Sequence, residues 1–101
     1  MENEYGVRIL PKAYRDIDSI YEYIANQIKE DAAAKRLLDK FESSVLDLAN
    51  FPYRGAERKV GAYVGKGYRQ LFIANFTVVY RINENDKEIL IVTVRYSPSQ
   101  F

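Results

Sequence analysis

The chain has 101 residues, 48% of them hydrophobic, with nine Tyr, five Phe and a formal net charge of +1. That length suits one domain around a single core, so residues 1–101 are read as one unit, and the composition is that of a packed protein. Having no Cys and no His, the chain lacks disulfides, thiolate chemistry, Cys-type zinc sites and the usual general base near neutral pH. Any chemistry has to use Arg, Lys, Tyr, Asp, Glu, Ser or Thr, and neither cofactor nor metal is implied. No apolar run approaches the roughly 18 residues of a membrane span. The opening MENEYGVRIL also lacks the apolar stretch of a secretory signal. A soluble cytoplasmic protein is expected.

Charge divides the chain. Residues 1–50 carry seven bases against ten acids, net −3, and residues 51–101 carry eight against four, net +4. Between 54 and 69 the bases Arg54, Arg58, Lys59, Lys66 and Arg69 meet one acid, Glu57. Such a cluster suits an anionic partner, acidic protein or nucleic acid; it is equally the composition of a solvated loop.

In chain order, Tyr5, Val7 and Ile9 alternate with Gly6 and Arg8 and predict a short strand with one buried face. Pro11 suits a first helical turn, and Ala13, Ile17, Ile20, Ile24 and Ile28 continue an amphipathic helix over about 11–29. Asp16, Asp18 and Glu22 fall on its polar side and read as solvated. Asp31 is the expected N-cap of a second helix with the stripe Ala34, Leu38, Phe41, Val45 and Leu48, which Asn50-Phe51-Pro52 ends. A connection of about two residues makes the pair an antiparallel αα-hairpin.

Residues 52–66 read as a loop with a short strand at Ala62–Val64. Three strands follow. In the first, Tyr68, Gln70 and Phe72 alternate with Arg69, Leu71 and Ile73. A turn at Ala74-Asn75 leads to the second, where Phe76, Val78, Tyr80 and Ile82 alternate with Thr77, Val79 and Arg81. After Asn83–Asp86 the last strand, 88–96, places Leu90, Val92 and Val94 opposite Ile89, Ile91, Thr93 and Arg95, and reads as a central strand buried on both sides. The expected fold is α+β, β-α-α-β-β-β, with the hairpin packed on one face of an antiparallel sheet. Leu71, Ile73, Val79, Ile89 and Ile91 then form an apolar second face for a partner.

These features together resemble the RelE/ParE superfamily, the toxins of type II toxin–antitoxin pairs. The resemblance rests on order: Phe51-Pro52-Tyr53-Arg54-Gly55, then Gly67-Tyr68-Arg69, then Phe76 to Tyr80-Arg81, then Val94-Arg95-Tyr96. It implies a cognate antitoxin, a toxin–antitoxin hetero-oligomer, and one of two targets. The RelE-like branch cuts mRNA on the ribosome with Arg, Lys and Tyr side chains; the ParE-like branch traps DNA gyrase on cleaved DNA. The cutting set is thin here. Thr77 stands where that branch has an arginine, Ser97-Pro98 where it has a second basic residue, and the closing tyrosine is replaced by Ser99-Gln100-Phe101. The resemblance therefore favours the ParE-like reading. A nuclease would have to use Lys66, Arg69, Arg81, Arg95 and Tyr96, and an inactive toxin relic is a third reading. For partner binding the candidates are Arg54, Arg58, Lys59, Arg69, Arg81 and Arg95. Arg69 has a structural alternative, an ion pair with Glu88. Tyr80 reads as core with its hydroxyl bonded at the edge.

Overall fold

A computed structural model describes residues 5–27, 30–59, 64 and 67–97. The elements are β1 (Gly6–Ile9), α1 (Pro11–Gln27), α2 (Asp31–Asp47), β2 (Ala56–Glu57), β3 (Tyr68–Ile73), β4 (Phe76–Asn83) and β5 (Glu88–Tyr96). The five strands form one sheet in the order β1-β5-β4-β3-β2. The strand expected at Ala62–Val64 lies mostly outside the described residues, Val64 itself belonging to no strand. β2 is a two-residue strand the sequence did not announce.

The fold is α+β as expected, but the sheet is mixed. β1 runs parallel to β5, with Val7 opposite Ile89 and Ile9 opposite Ile91, while the other pairs are antiparallel. The chain between β1 and β5 passes through the whole hairpin and meander, so no tight turn imposes an antiparallel return. Beyond the end of β1 the edge of β5 is open, and Asp16 closes it. Its Oδ2 accepts from the Val94 N–H at 3.1 Å and from the Thr93 hydroxyl at 2.5 Å, with Lys12 Nζ at 2.9 Å. Asp16 is therefore not the solvated carboxylate its helix position suggests. Its pKa is lowered: burial works against ionisation, but the bonds from Thr93, Lys12 and the Val94 N–H outweigh it.

The hairpin covers one face of the sheet with the predicted stripes. Ala13 and Ile24 of α1, and Phe41 and Val45 of α2, are buried against Leu71, Ile73, Phe76, Val78, Tyr80, Ile89 and Ile91. Fully burying one such aliphatic or aromatic side chain contributes about 1.5–3 kcal/mol. Phe76 joins the layers, with ring centroids 4.4 Å from Phe41 and 4.8 Å from Tyr96. At the start of α2 the N-cap is Glu30, without a side-chain cap bond, and Asp31 is the first helical residue, where a negative charge suits the helix dipole.

Two expectations about faces are overturned. Of the five residues expected on an apolar outer face, Leu71, Ile73, Ile89 and Ile91 lie in the core under the hairpin; Val79 alone stays outside that cluster, opposite Gln70 and Thr93, and is itself buried. Nor does β5 alternate regularly. Val79 pairs with Thr93 and Tyr80 with Ile91, so Val92 is an extra residue in a β-bulge. Before it Ile89 and Ile91 face the core; after it Val94 and Tyr96 do. β5 lies one strand in from the edge, and its Leu90 and Val92 are half-buried rather than covered.

Candidate functional site

The Phe-Pro-x-x-Gly loop is bolted to the sheet. Tyr80, fully buried on β4, donates its hydroxyl to Pro52 O at 2.8 Å and accepts from the Gly55 N–H at 3.0 Å. Arg69 on β3 adds bonds to Gly55 O from Nε at 3.0 Å and Nη2 at 2.6 Å, and lies 5.2 Å over the Tyr53 ring. Gly55 is required by space: a Cβ there would stand 2.4 Å from Gln70 O and 2.7 Å from the Tyr80 hydroxyl. Arg69 is thus bonded to loop carbonyls rather than to Glu88, whose ionic neighbour is Arg8 at 3.7 Å. The loop is also tied to the β4–β5 turn, because Tyr53 and Tyr5 both donate to the carboxylate of Glu84. The bond from Tyr53, then that from Tyr5, holds the Glu84 carboxyl below its ordinary value.

The opposite face of the sheet is basic. Register places Arg8, Leu90, Arg81 and Tyr68 in one row across four strands. Arg58 extends the row, its N–H bonded to Tyr68 O at 2.9 Å. Arg58 also donates to Gln70 at 2.6 Å, and Arg81 lies 5.9 Å over the Tyr68 ring. A second row holds Arg95, Thr77 and Phe72, and Phe72 is 66% exposed. Sequence reading singled out Arg58, Arg81 and Arg95 but missed Arg8, Tyr68 and Phe72 as their neighbours. The signal was the alternation of β3, which needed the register to be placed.

The residues named for RNA cutting are divided between the faces. Arg81 and Arg95 lie on the outer face; Arg69 and Tyr96 lie on the hairpin side. Tyr96 packs on Phe76 and meets Tyr23 edge-on at 6.2 Å, and burial, with Tyr23 adding to it, raises its pKa. Arg69 opposes Tyr80 while Tyr96 opposes Phe76. Four residues along a strand separate those positions by about 13 Å. Lys66 lies outside the described residues. Lys59 is exposed, and Arg54 is exposed beside Asp47 at 3.8 Å. Among the described residues no acidic group is placed to hold a metal ion, and no helix is long and apolar enough to cross a membrane.

An apolar cleft of about 370 Å³ opens on the hairpin side, between α1, α2 and the sheet. Ile9, Ile17, Phe41, Val45 and Ile91 line it, Tyr14 and Leu46 stand exposed at its mouth, and Asp18 and Glu42 belong to its wall. Tyr21 bridges the helices through a 2.6 Å bond to Glu42; burial, and then that bond, raises its pKa strongly.

A family model described as the ParE toxin of the type II toxin–antitoxin system parDE matches residues 7–100. The chain belongs to the ParE toxin family. Among solved structures, a chain of the chromosomal ParDE toxin–antitoxin system from P. aeruginosa superposes on this ParE-family toxin with a TM-score of 0.72 at 23% identity, covering 94% of this chain and 98% of that one. A chain of the RelBE2 toxin–antitoxin complex from Mycobacterium tuberculosis gives 0.65 at 18% identity, covering 95% and 94%. A mutant of the E. coli toxin RelE in the free state gives 0.54 at 9% identity, covering 94% and 85%. These likenesses establish the RelE/ParE fold. No curated protein matches the sequence.

Proposed function

We propose that this ParE-family toxin, a single domain over residues 1–101, acts in the cytoplasm by inhibiting DNA gyrase and is neutralised by a cognate antitoxin in a hetero-oligomer. One observation carries the choice of target. The side chains a metal-independent endoribonuclease would need are split, with Arg81 and Arg95 on one face of the sheet and Arg69 and Tyr96 on the other. Phosphoryl transfer needs donors converging on one phosphate, and losing a single such donor costs about a hundredfold or more. Arg69 is moreover engaged with Gly55 O on two nitrogens.

The ParDE and RelBE2 relatives come from toxin–antitoxin systems, which supports an antitoxin partner here. The outer face is without the apolar area of Leu71, Ile73, Ile89 and Ile91 that an antitoxin was expected to bury. The cleft between the hairpin and the sheet supplies it instead, and an antitoxin segment that inserts an apolar side chain beside Tyr14 and Leu46 fits there.

The test is gyrase supercoiling of a relaxed plasmid with the toxin titrated in. Expected is loss of supercoiling with accumulation of cleaved DNA, reversed by the antitoxin. Unaffected gyrase together with ribosome-dependent mRNA cleavage would replace this reading with the RelE-like one. Inactivity in both assays would leave a relic that only binds.

A further inference from the structure

We infer that the cleft between the helical hairpin and the sheet binds a small organic ammonium with an apolar body, an aryl- or alkylamine, its body on Phe41, Val45 and Ile91 and its charge between Asp18 and Glu42. The inference stands on the cleft alone and not on gyrase or an antitoxin as partner. Where an antitoxin side chain enters the same cleft, the amine excludes it. The volume of about 370 Å³ falls within the roughly 300–1,000 Å³ of small-molecule sites. The floor is apolar and rigid, since Phe41, Val45 and Ile91 are buried in the core. Spacings of three and four put Tyr14, Asp18 and Tyr21 on one face of α1, and Glu42 and Leu46 on the facing side of α2.

The charged groups select the class of ligand. Among the described residues that line the cleft, Asp18 and Glu42 are acidic and none is Lys or Arg. Asp18 is exposed at the wall and makes no hydrogen bond or ion pair among the described residues. Glu42 accepts from the Tyr21 hydroxyl through Oε2 at 2.6 Å, which leaves Oε1 for a second donor. A neutral apolar occupant takes water from these carboxylates and returns no partner, and an anion is repelled. An ammonium pairs with both. The aromatic side chains point the same way: Tyr14 and Tyr21 flank the carboxylates, and a cation over such a ring gains about two- to fivefold in affinity at an exposed site.

The measurement is isothermal titration calorimetry of the intact toxin, without antitoxin, against phenethylamine, its neutral counterpart phenethyl alcohol and the anion phenylacetate. Amide NMR shifts locate the ligand. The amine is expected to bind about tenfold tighter than the alcohol, phenylacetate weaker than either, with the shifts concentrated at Ile17, Phe41 and Leu46. The double variant Asp18→Asn with Glu42→Gln should bring the amine down to the affinity of the alcohol and leave the alcohol unchanged, a loss that a merely distorted cleft does not reproduce. Glu22→Gln, exposed on α1 outside the cleft, is the control of equal charge change and should keep the preference. Circular dichroism of each variant confirms folding. Should the double variant lose the alcohol as well, Asp18→Asn alone decides, because it removes no hydrogen bond of the fold; it should weaken the amine by up to about fivefold and the alcohol not at all. Absence of amine binding at millimolar concentration, equal or tighter binding of the alcohol or of phenylacetate, a preference that survives both Asp18→Asn and the double variant, or shifts confined to the outer face of the sheet would overturn the inference. Each of these results leaves the gyrase reading intact.

Discussion

At the scale of single residues, the function of the aromatic and arginine positions of the sheet is divided between holding and touching. Tyr80 and Arg69 hold. Replacing Tyr80 by Phe leaves the Pro52 carbonyl and the Gly55 N–H buried without their partner, and each orphaned group costs about 1–3 kcal/mol. Urea unfolding of Tyr80→Phe should therefore show a loss of roughly 2–4 kcal/mol with the slope unchanged. Gly55→Ala should be at least as damaging, because its Cβ meets the backbone oxygen of Gln70, which cannot swing aside. A Gly55→Ala protein as stable as the parent would mean the loop does not approach β3 as closely as 2.4 Å implies. Arg81, Arg95 and Phe72 touch solvent, so their replacement should spare stability and change only what the outer face binds. The identity of these side chains was legible in the sequence. Their sides were not, since a residue's face depends on which neighbour it pairs with.

At the scale of elements, the helices and the meander follow from local chemistry: periodic stripes for α1 and α2, alternation for β3 and β4, turn residues between them. One turn is locally unfavourable. Ala74 opens the two-residue β3–β4 loop with φ 52°, a left-handed conformation that costs a non-glycine residue about 1–2 kcal/mol. Ala74→Gly removes that strain against a smaller entropic loss in the unfolded chain. A gain of roughly 0.5–1 kcal/mol is expected, read as a higher thermal midpoint; a lower midpoint would contradict the φ value. The bulge at Val92 is the opposite case. Nothing in Leu90–Val94 marks an inserted residue, because every side chain there is β-branched or aliphatic and suits either face. The bulge exists because β4 and β5 have to present Tyr80 with Ile91 and also Val78 with Val94 to one core, which only the packed hairpin imposes.

For the whole molecule, pH reads out the tertiary contacts. Asp16 has a lowered pKa through Thr93, Lys12 and Val94, against its burial. A depressed carboxyl stabilises the fold fully above its unfolded value near 3.9, and that stability disappears as pH falls through the folded value. Stability should thus decline below about pH 4, and Asp16→Asn should be weaker at neutral pH with a shallower acid decline. At the alkaline end Tyr21 is raised by burial and by Glu42, so its contribution is present below the unfolded value near 10 and is lost as pH rises through the folded one. Tyr21→Phe should flatten that alkaline limb, measured by chemical denaturation at each pH. An unchanged acid limb in Asp16→Asn would show that β5 does not depend on this carboxylate.

The sequence by itself determined the α+β class, the helical hairpin and the three-strand meander, because short-range periodicity and turn chemistry are written residue by residue, and the order of its motifs carried the resemblance to the superfamily. Only the tertiary structure decided that β1 joins the sheet in parallel, that Leu71, Ile73, Ile89 and Ile91 turn to the core, and that the basic residues divide into a loop-holding set and an outward row. Those outcomes depend on strand register, and register is fixed by how distant segments share one buried face, where a shift of a single residue exchanges inside for outside.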